Sequence, residues 1–237
     1  MDELFLQPME YMVYEKWIES RDDNDVKRSD VHCKHYRSSQ KILLVGEGDF
    51  SFSLCLARAF GSAVNIVATS LDSREYLVRK YRFASINLTE LKDLGCTILH
   101  KVDVGNMVLH EHLKDKKLDR IIFNFPHAGF YYHEFHKRQI RLHRRLVRGF
   151  LQNGKEMLTC REQIHITHKT TYPYSEWHIE DLAENVGLFF NEGVEFQQSF
   201  YPGYYYNKRG DGSKCDKSFP IGWSSTFKFS CNEYYRY

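Results

Sequence analysis

From residue 41 onward, short apolar runs alternate with amphipathic stretches of helical length. The apolar runs predict strands over 42–45, 64–69, 97–102, 120–125, 163–167, 193–200 and 225–229. The stretches between them predict helices over 52–60, 73–82, 89–94, 132–152 and 176–185. Strands that alternate with helices are typical of βαβ units and a parallel sheet. We therefore predict an α/β fold with a mostly parallel, seven-stranded sheet that ends in a C-terminal β-hairpin.

The first 40 residues lack this alternation. A short helix is predicted over 8–20, and the charged run R-D-D-N-D-V-K-R-S-D that follows is typical of a linker. We expect a partly flexible N-terminal extension over 1–40, one domain over 41–232 and a tail over 233–237. A chain of 237 residues, 42% of them hydrophobic, is long enough to bury the core of one such domain.

Composition excludes several classes of protein. The six cysteines form no C-x-x-C pair, which is typical of reduced thiols in an intracellular protein, and no apolar run reaches the roughly 20 residues of a membrane span. The histidines at 133–136 stand as H-E-F-H and not as H-E-x-x-H, so no metal site is predicted. The expected location is the cytoplasm or the nucleus, including the nucleolus. The formal net charge of +2 requires any nucleic-acid partner to be held by a local basic patch.

Polar residues follow the predicted strands where a doubly wound sheet binds its ligands, at the carboxyl ends. The first strand runs into a turn whose glycines allow close approach of a ligand and whose Ser51 can cap the next helix. Asp72 follows the second strand and Asp103 the third, and acids at these positions suit a nucleoside. A helix cap is the alternative for each acid, and a tight β-to-α turn is the alternative for the glycines. The cofactor candidates are Gly46, Glu47, Gly48, Asp49, Phe50, Ser51, Asp72, Asp103 and Asn124.

The turn also indicates which cofactor it serves. Phe50 stands where a dinucleotide fingerprint has its third small residue, and a bulky side chain there is expected to obstruct a pyrophosphate. A methionine-derived sulfonium cofactor has no phosphate, and the acidic Glu47 suits its cationic amino group. This favours such a cofactor over NAD.

The fourth strand ends in Asn124-Phe125-Pro126-His127, which resembles the N-P-P-Y-type loop of methyltransferases that act on base nitrogens. In those enzymes the Asn side chain and a backbone carbonyl hold the edge of the target base. Asn124, Pro126 and His127 are therefore the candidate catalytic residues, and His127 is the hypothesised acceptor of the base proton because its ordinary pKa lies near neutrality. The alternative is a structural turn.

Five segments in order complete a more specific resemblance, namely V-G-E-G-D-F-S-F-S, A-T-S-L-D-S, F-N-F-P-H-A-G, I-H-I-T-H-K-T-T-Y-P-Y-S-E-W and Y-P-G-Y-Y-Y-N-K-R-G-D-G. Together they resemble the large-subunit rRNA uridine-N3 methyltransferases and their plant relatives. The resemblance implies a Rossmann-like class I fold, S-adenosylmethionine as methyl donor and N3 of a uridine in ribosomal RNA as acceptor. It also implies a glycine-bearing turn before Ile164, where this chain has T-C-R-E-Q over 159–163.

Two further segments are candidates for contact with RNA. Lys137, Arg141, Arg144 and Arg148 follow i, i+4, i+7, i+11 spacing and form one helical stripe, which suits phosphate contacts or an ordinary solvated face. The loop 201–212 mixes tyrosines with cations and suits stacking on an unpaired base, or simply packs over the sheet edge. The RNA-binding candidates are Arg141, Arg144, Arg148, Lys169, Tyr204, Lys208 and Arg209.

The sequence thus predicts a monomeric S-adenosylmethionine-dependent methyltransferase that acts on RNA. Two alternatives stay open: a methyltransferase-like module that binds nucleoside or RNA without turnover, and a nicotinamide-dependent oxidoreductase.

Overall fold

A computed structural model of the protein describes residues 30–204 and 215–231. Two sheets are present in this part of the chain. The small one pairs β1 (His32–Cys33) with β2 (Tyr36–Arg37). The large one contains β3 (Ile42–Val45), β4 (Ile66–Thr69), β5 (Thr97–Leu99), β6 (Leu118–Asn124), β7 (Leu158–Lys169), β8 (Phe189–Glu195) and β9 (Ser224–Ser230). The helices are α1 (Ser51–Phe60), α2 (Arg74–Lys80), α3 (Ala84–Asp93), α4 (Lys137–Met157) and α5 (Ile179–Glu184).

The large sheet has the strand order β5-β4-β3-β6-β7-β9-β8. The pairs among β3, β4, β5, β6 and β7 are parallel, and β9 lies antiparallel between β7 and β8. The predicted fold class is therefore confirmed, including the seven strands and the C-terminal antiparallel hairpin, whose two strands are joined by the long connection 196–223.

The sheet is buried because helices cover both faces of its central strands. All four residues of β3 and all four of β4 are buried, which explains why these strands appear in the sequence as unbroken apolar runs. One core cluster joins the sheet residues Leu43, Ile121 and Ile164 to Phe150 of α4 and to Trp177. Strand order reverses between β3 and β6, so the carboxyl ends of these two strands flank the position where doubly wound sheets bind ligands.

The compact unit begins at Val31, before the predicted boundary at residue 41. Tyr36 of β2 is only 1% exposed and packs edge-on against Phe52 of α1, with ring centroids 6.1 Å apart. The predicted helix over 8–20, the tail over 233–237, and Lys208 and Arg209 lie outside the described residues.

The segment 159–163 forms a bulge within β7 where the resemblance predicted a glycine-bearing turn. Arg161 has a φ of 68°, and the pairing of β6 with β7 shifts register between Leu118 and Arg120. The segment therefore belongs to the continuous strand Leu158–Lys169 and does not form the expected turn, although Arg161 has the positive φ that glycine adopts most easily.

No helix within residues 30–204 and 215–231 has the length and apolar character that a membrane crossing requires.

Candidate functional site

A cavity of about 990 Å³ lies at the carboxyl ends of the central strands. Its wall includes the turn after β3, the ends of β4 and β6, the segment 102–104, and the loop that leads from β6 to α4. Eight of the nine predicted cofactor residues lie on this wall: Gly46, Glu47, Gly48, Asp49, Ser51, Asp72, Asp103 and Asn124. The three predicted catalytic residues Asn124, Pro126 and His127 lie there too. The structure therefore brings the two predicted groups together in one place.

Phe50 is the exception among the cofactor candidates. Its side chain is fully buried, and its ring lies 5.9 Å from that of His100 in an edge-on arrangement. Among the described residues that line the cavity, Asp49 and Ser51 are present and Phe50 is not. Its backbone has a φ of 62°, which turns the bulky ring into the core. The Phe50 side chain therefore does not join the other cofactor candidates on the cavity wall, and because it points into the core it gives no argument against a pyrophosphate at this turn.

The turn after β3 is held by two carboxylates. Asp49 Oδ1 accepts hydrogen bonds from the Ser51 amide at 3.1 Å and the Ser51 hydroxyl at 2.7 Å. Glu47 Oε2 accepts from the Ser53 amide at 3.1 Å and the Ser53 hydroxyl at 2.6 Å. Both acids thus satisfy free amides at the start of α1, where negative charge is also favoured by the helix dipole. Phe50 occupies the N-cap position and Ser51 is the first residue of the helix, so the prediction that Ser51 caps it is wrong.

Burial raises the pKa of Glu47 to about 7, although its bonds to Ser53 oppose the shift. A carboxyl group with this pKa is only partly ionised at neutral pH. A cation bound beside it would favour the ionised form.

The two remaining acids differ in their partners. Asp72 is not the cap of α2, because Ser73 occupies that position and accepts a hydrogen bond from the Tyr76 amide at 3.3 Å. Asp72 instead forms an ion pair with Lys80 at 3.0 Å. Asp103 accepts from the Gly105 amide at 2.8 Å within a turn and does not cap a helix, which was its alternative, and it is also one of the residues that line the cavity.

Asn124 is the last residue of β6, and its side chain lines the cavity. Both amide atoms, Oδ1 and Nδ2, are buried, and neither has a hydrogen-bond partner within residues 30–204 and 215–231. A buried amide without partners costs about 1–3 kcal/mol. Such a group in the wall of a cavity is therefore suited to a ligand that has one donor and one acceptor.

His127 makes hydrogen bonds through both ring nitrogens. Nδ1 accepts from the Gly129 amide at 3.1 Å, which places the proton on Nε2, and Nε2 donates to Glu134 Oε1 at 2.8 Å. Glu134 Oε2 accepts in turn from His143 Nε2 at 3.2 Å, because His143 Nδ1 accepts from the Ala128 amide. Burial opposes ionisation of Glu134, but these two histidine bonds lower its pKa to about 2. One carboxylate thus joins the loop after β6 to α4.

The same three residues, His127, Glu134 and His143, have the spacing of possible metal ligands. Each histidine, however, accepts a backbone N–H at Nδ1, so Nε2 carries the proton and has no lone pair for a metal. The hydrogen-bond pattern therefore suits a clasp between loop and helix better than a metal site.

The predicted RNA-binding residues occupy different environments. Arg141 and Arg148 are exposed on α4, but Arg144 is half-buried and donates to the carbonyl oxygens of Glu176 at 3.3 Å and Trp177 at 3.1 Å. Lys169 lines the cavity with its Nζ 4.7 Å from the centroid of the Tyr174 ring.

Tyr204 differs most from its prediction. It is 8% exposed and packs edge-on against Phe52 at 5.1 Å, so it forms part of the cavity wall beside the glycine turn. The side chain of Tyr204 is therefore buried in the fold and does not stand on an outer loop, where it was predicted to stack on RNA.

Trp177 is a cavity residue that sequence reasoning did not single out. Its ring lies between those of His143 and His168, with both centroid distances 4.2 Å. Its indole Nε1 is buried without a partner in the described part of the chain. The only sequence signal was its position at the end of the segment I-H-I-T-H-K-T-T-Y-P-Y-S-E-W, because the contacts with α4 are long-range.

Comparison with known proteins agrees with this geometry. The family model BMT5-like, described as rRNA (uridine-N3-)-methyltransferase BTM5-like, matches residues 43–208. An uncharacterized protein of Arabidopsis thaliana, At4g26485, is 52% identical over 204 residues, which are 85% of this chain and 98% of that protein. The 25S rRNA (uridine(2634)-N(3))-methyltransferase of Saccharomyces cerevisiae is 26% identical over 226 residues, covering 73% of this chain and 67% of the yeast protein.

Among solved structures, a methyltransferase from Pyrococcus furiosus superposes with a TM-score of 0.51 at 13% identity, covering 81% of this chain and 75% of that one. This likeness concerns the fold alone, which is the fold of Rossmann-like methyltransferases. Since the family model spans the sheet from β3 into the connection before β9, the chain belongs to the BMT5-like family, the family described as rRNA (uridine-N3-)-methyltransferases.

Proposed function

We propose that this chain transfers a methyl group from S-adenosylmethionine to N3 of a uridine in ribosomal RNA. The observation that carries the proposal is the partnerless Asn124 amide, buried in the wall of the same cavity as the glycine turn after β3. The description of the family and the name of the yeast relative support the same reaction.

The residues at one end of the cavity fit the cofactor. Gly46 has a φ of 69°, and a Cβ atom there would lie 2.5 Å from the Phe123 ring, so this close turn requires glycine. Glu47 offers a carboxylate to a cationic group, and Asp72 offers one to ribose hydroxyls. S-adenosylmethionine supplies the methyl group, while Gly46, Glu47, Gly48, Asp49, Ser51, Asp72 and Asp103 would hold it.

The other end fits the edge of a uracil. That edge presents one N–H group at N3, flanked by carbonyl oxygens. The amide Nδ2 of Asn124 can donate to one of these carbonyl oxygens, which gain negative charge when N3 loses its proton, and both amide atoms lack a protein partner in the described residues. N3 itself then stays free to face the methyl group. Alignment of the acceptor nitrogen is the main contribution that a protein makes to an in-line displacement.

Methylation at N3 also requires loss of the N3 proton, which would pass to water in the open cavity. His127 was predicted to accept it, but its Nδ1 lone pair is taken by the Gly129 amide and its Nε2 donates to Glu134. We therefore assign His127 a positioning role in holding the loop that follows Asn124. A His127→Ala variant should lower kcat and keep the shape of the pH–rate profile. Loss of one limb of that profile would restore His127 as the proton acceptor.

The reaction is tested directly with purified protein, S-adenosylmethionine carrying a labelled methyl group, and transcribed ribosomal RNA fragments. Digestion to nucleosides and chromatography should find the label in N3-methyluridine. Asn124→Leu should abolish this product and retain cofactor binding, whereas Glu111→Gln, a change at an 82% exposed side chain, should leave it unchanged. Cofactor binding without transfer to any RNA would identify a binding module and contradict the proposal.

A further inference from the structure

Residues 130–135, here called the rim segment, expose an unusual amount of aromatic surface beside the cavity. Phe130 is 47% exposed, Tyr131 73%, Tyr132 43% and Phe135 61%. Phe130, Tyr131 and Tyr132 also line the cavity mouth. Large aromatic side chains are normally buried, so a cluster of exposed rings marks a surface for a partner.

Hydrogen bonds to α4 hold the rim segment in place. Glu134 bridges to His127 and His143, and the Tyr132 amide donates to Gln139 Oε1 at 3.0 Å. Gln139 is fully buried and also donates to the Gly129 carbonyl oxygen. Because the backbone is already fixed, contact with a partner loses little further conformational entropy.

The surface that continues from the rim segment is positively charged. Five cations of α4 are exposed: Lys137, Arg138, Arg141, Arg145 and Arg148. Glu134 is the only acid in the sequence from residue 127 to residue 150, and its two carboxylate oxygens are bonded to histidines. The partner must therefore be polyanionic and must also present flat apolar faces.

Unpaired RNA has both properties, because phosphates alternate with bases whose faces are free to stack. Duplex RNA hides those faces inside its helix. We propose that the rim segment stacks on unpaired nucleotides next to the target base while α4 contacts their phosphates. The acceptor is then a single-stranded or looped RNA. This inference rests on the proposed function, since it names the substrate class for the same cavity.

The test compares a Tyr131→Ala/Phe135→Ala double variant with the wild type. The probes are a fluorescent oligouridine and the same strand annealed to its complement. The wild type should prefer the single strand, and the double variant should lose at least about tenfold in affinity for it. The matched control is Phe189→Ala, which truncates a 39% exposed aromatic at the start of the edge strand β8 and should bind like the wild type.

Far-UV circular dichroism spectra and melting temperatures should be equal in all three proteins, which shows that the double variant is folded. Equal affinity of the wild type for the duplex would overturn the inference. So would unchanged single-strand affinity in the double variant. Comparable competition by polyglutamate or by phosphatidylserine vesicles would show that charge alone is recognised and would overturn it too.

The outcomes separate this inference from the proposed function. Transfer of methyl groups to RNA by the wild type, together with unchanged RNA affinity in the double variant, would overturn only the role of the rim segment. Absence of methyl transfer, together with a rim-dependent preference for single strands, would overturn only the proposed reaction.

Discussion

Glu47 can be tested by changing the pH, because its pKa of about 7 means that its ionisation changes near neutral pH. Below this value the carboxyl group is protonated, and above it the group is charged. The affinity for the cationic cofactor should therefore rise between pH 6 and pH 8, and Glu47→Gln should remove that dependence. Calorimetry at three pH values in two buffers measures both the affinity and the proton released. Affinity that is independent of pH in the wild type would contradict the assignment.

Substitution of Gly46 can separate the stability lost to backbone strain from the stability lost to steric overlap. Gly46→Ala places a side chain at a φ of 69° and also forces a Cβ atom against Phe123. Gly61→Ala is the matched control, since Gly61 has the same φ but nothing within 4 Å of its Cβ position. The backbone conformation costs about 1–2 kcal/mol in either variant. Urea unfolding should show a larger loss for Gly46→Ala, and Phe123→Leu should recover part of the difference.

Asn124 should show opposite effects on stability and on activity. Because its buried amide has no partner in the described chain, Asn124→Leu should raise the free energy of unfolding by about 1 kcal/mol while abolishing turnover. Asn87→Leu is the control, since Asn87 Nδ2 donates to the Asp49 carbonyl oxygen at 2.7 Å. That variant should be less stable. A loss of stability in Asn124→Leu would mean that the amide has a structural partner.

At the scale of elements, α4 carries two kinds of arginine. Arg144 binds the carbonyl groups of Glu176 and Trp177, whereas Arg141 and Arg148 face solvent. Arg144→Ala should lower the melting temperature because the turn that presents Trp177 loses these bonds. Arg141→Ala and Arg148→Ala should leave the melting temperature unchanged, and both should weaken RNA binding and its dependence on salt. Equal loss of RNA affinity in all three variants would contradict this division.

The stripe predicted on α4 shows what helical periodicity can and cannot specify. The spacing of Lys137, Arg141, Arg144 and Arg148 correctly places them on one side of a helix. It carries no information about the turn 174–177, which approaches this side from a distant part of the chain and binds Arg144. Likewise, the predicted helix over 132–152 begins at Lys137, because the rim segment is fixed by Glu134 and Gln139 instead of by helical bonds.

Across the domain, the sheet was predictable from the sequence, whereas the side chains that line the cavity were only partly predictable. Buried parallel strands leave apolar runs in the sequence, and polar residues at their ends mark the cavity edge, as Glu47, Asp72 and Asn124 do. The direction of an individual side chain is not encoded locally. Phe50 turns inward because of its positive φ, and the clasp of His127, Glu134 and His143 depends on two elements meeting in space.

Binding of the cofactor should stabilise the folded domain by mass action. S-adenosylmethionine at 100 times its Kd should stabilise the folded state by about 2.7 kcal/mol, because it binds the assembled cavity and not the unfolded chain. Thermal unfolding followed by fluorescence should show a melting temperature that rises with S-adenosylmethionine and not with NAD. Stabilisation by NAD instead would favour the oxidoreductase alternative.

The large sheet is completed late in synthesis, because its last strand in the sequence, β9, lies between β7 and β8. Within the described chain, β8 pairs only with β9, and β9 is also the strand that links it to β7. During synthesis β8 therefore emerges without a neighbour, and β7 exposes an open edge until Ser224–Ser230 has followed. Such an edge is a template for pairing between molecules. The cavity is completed at the same late stage, because Tyr204, Phe219 and Pro220 of the connection before β9 also line it, so the chain gains its ligand site and covers the edge of β7 together.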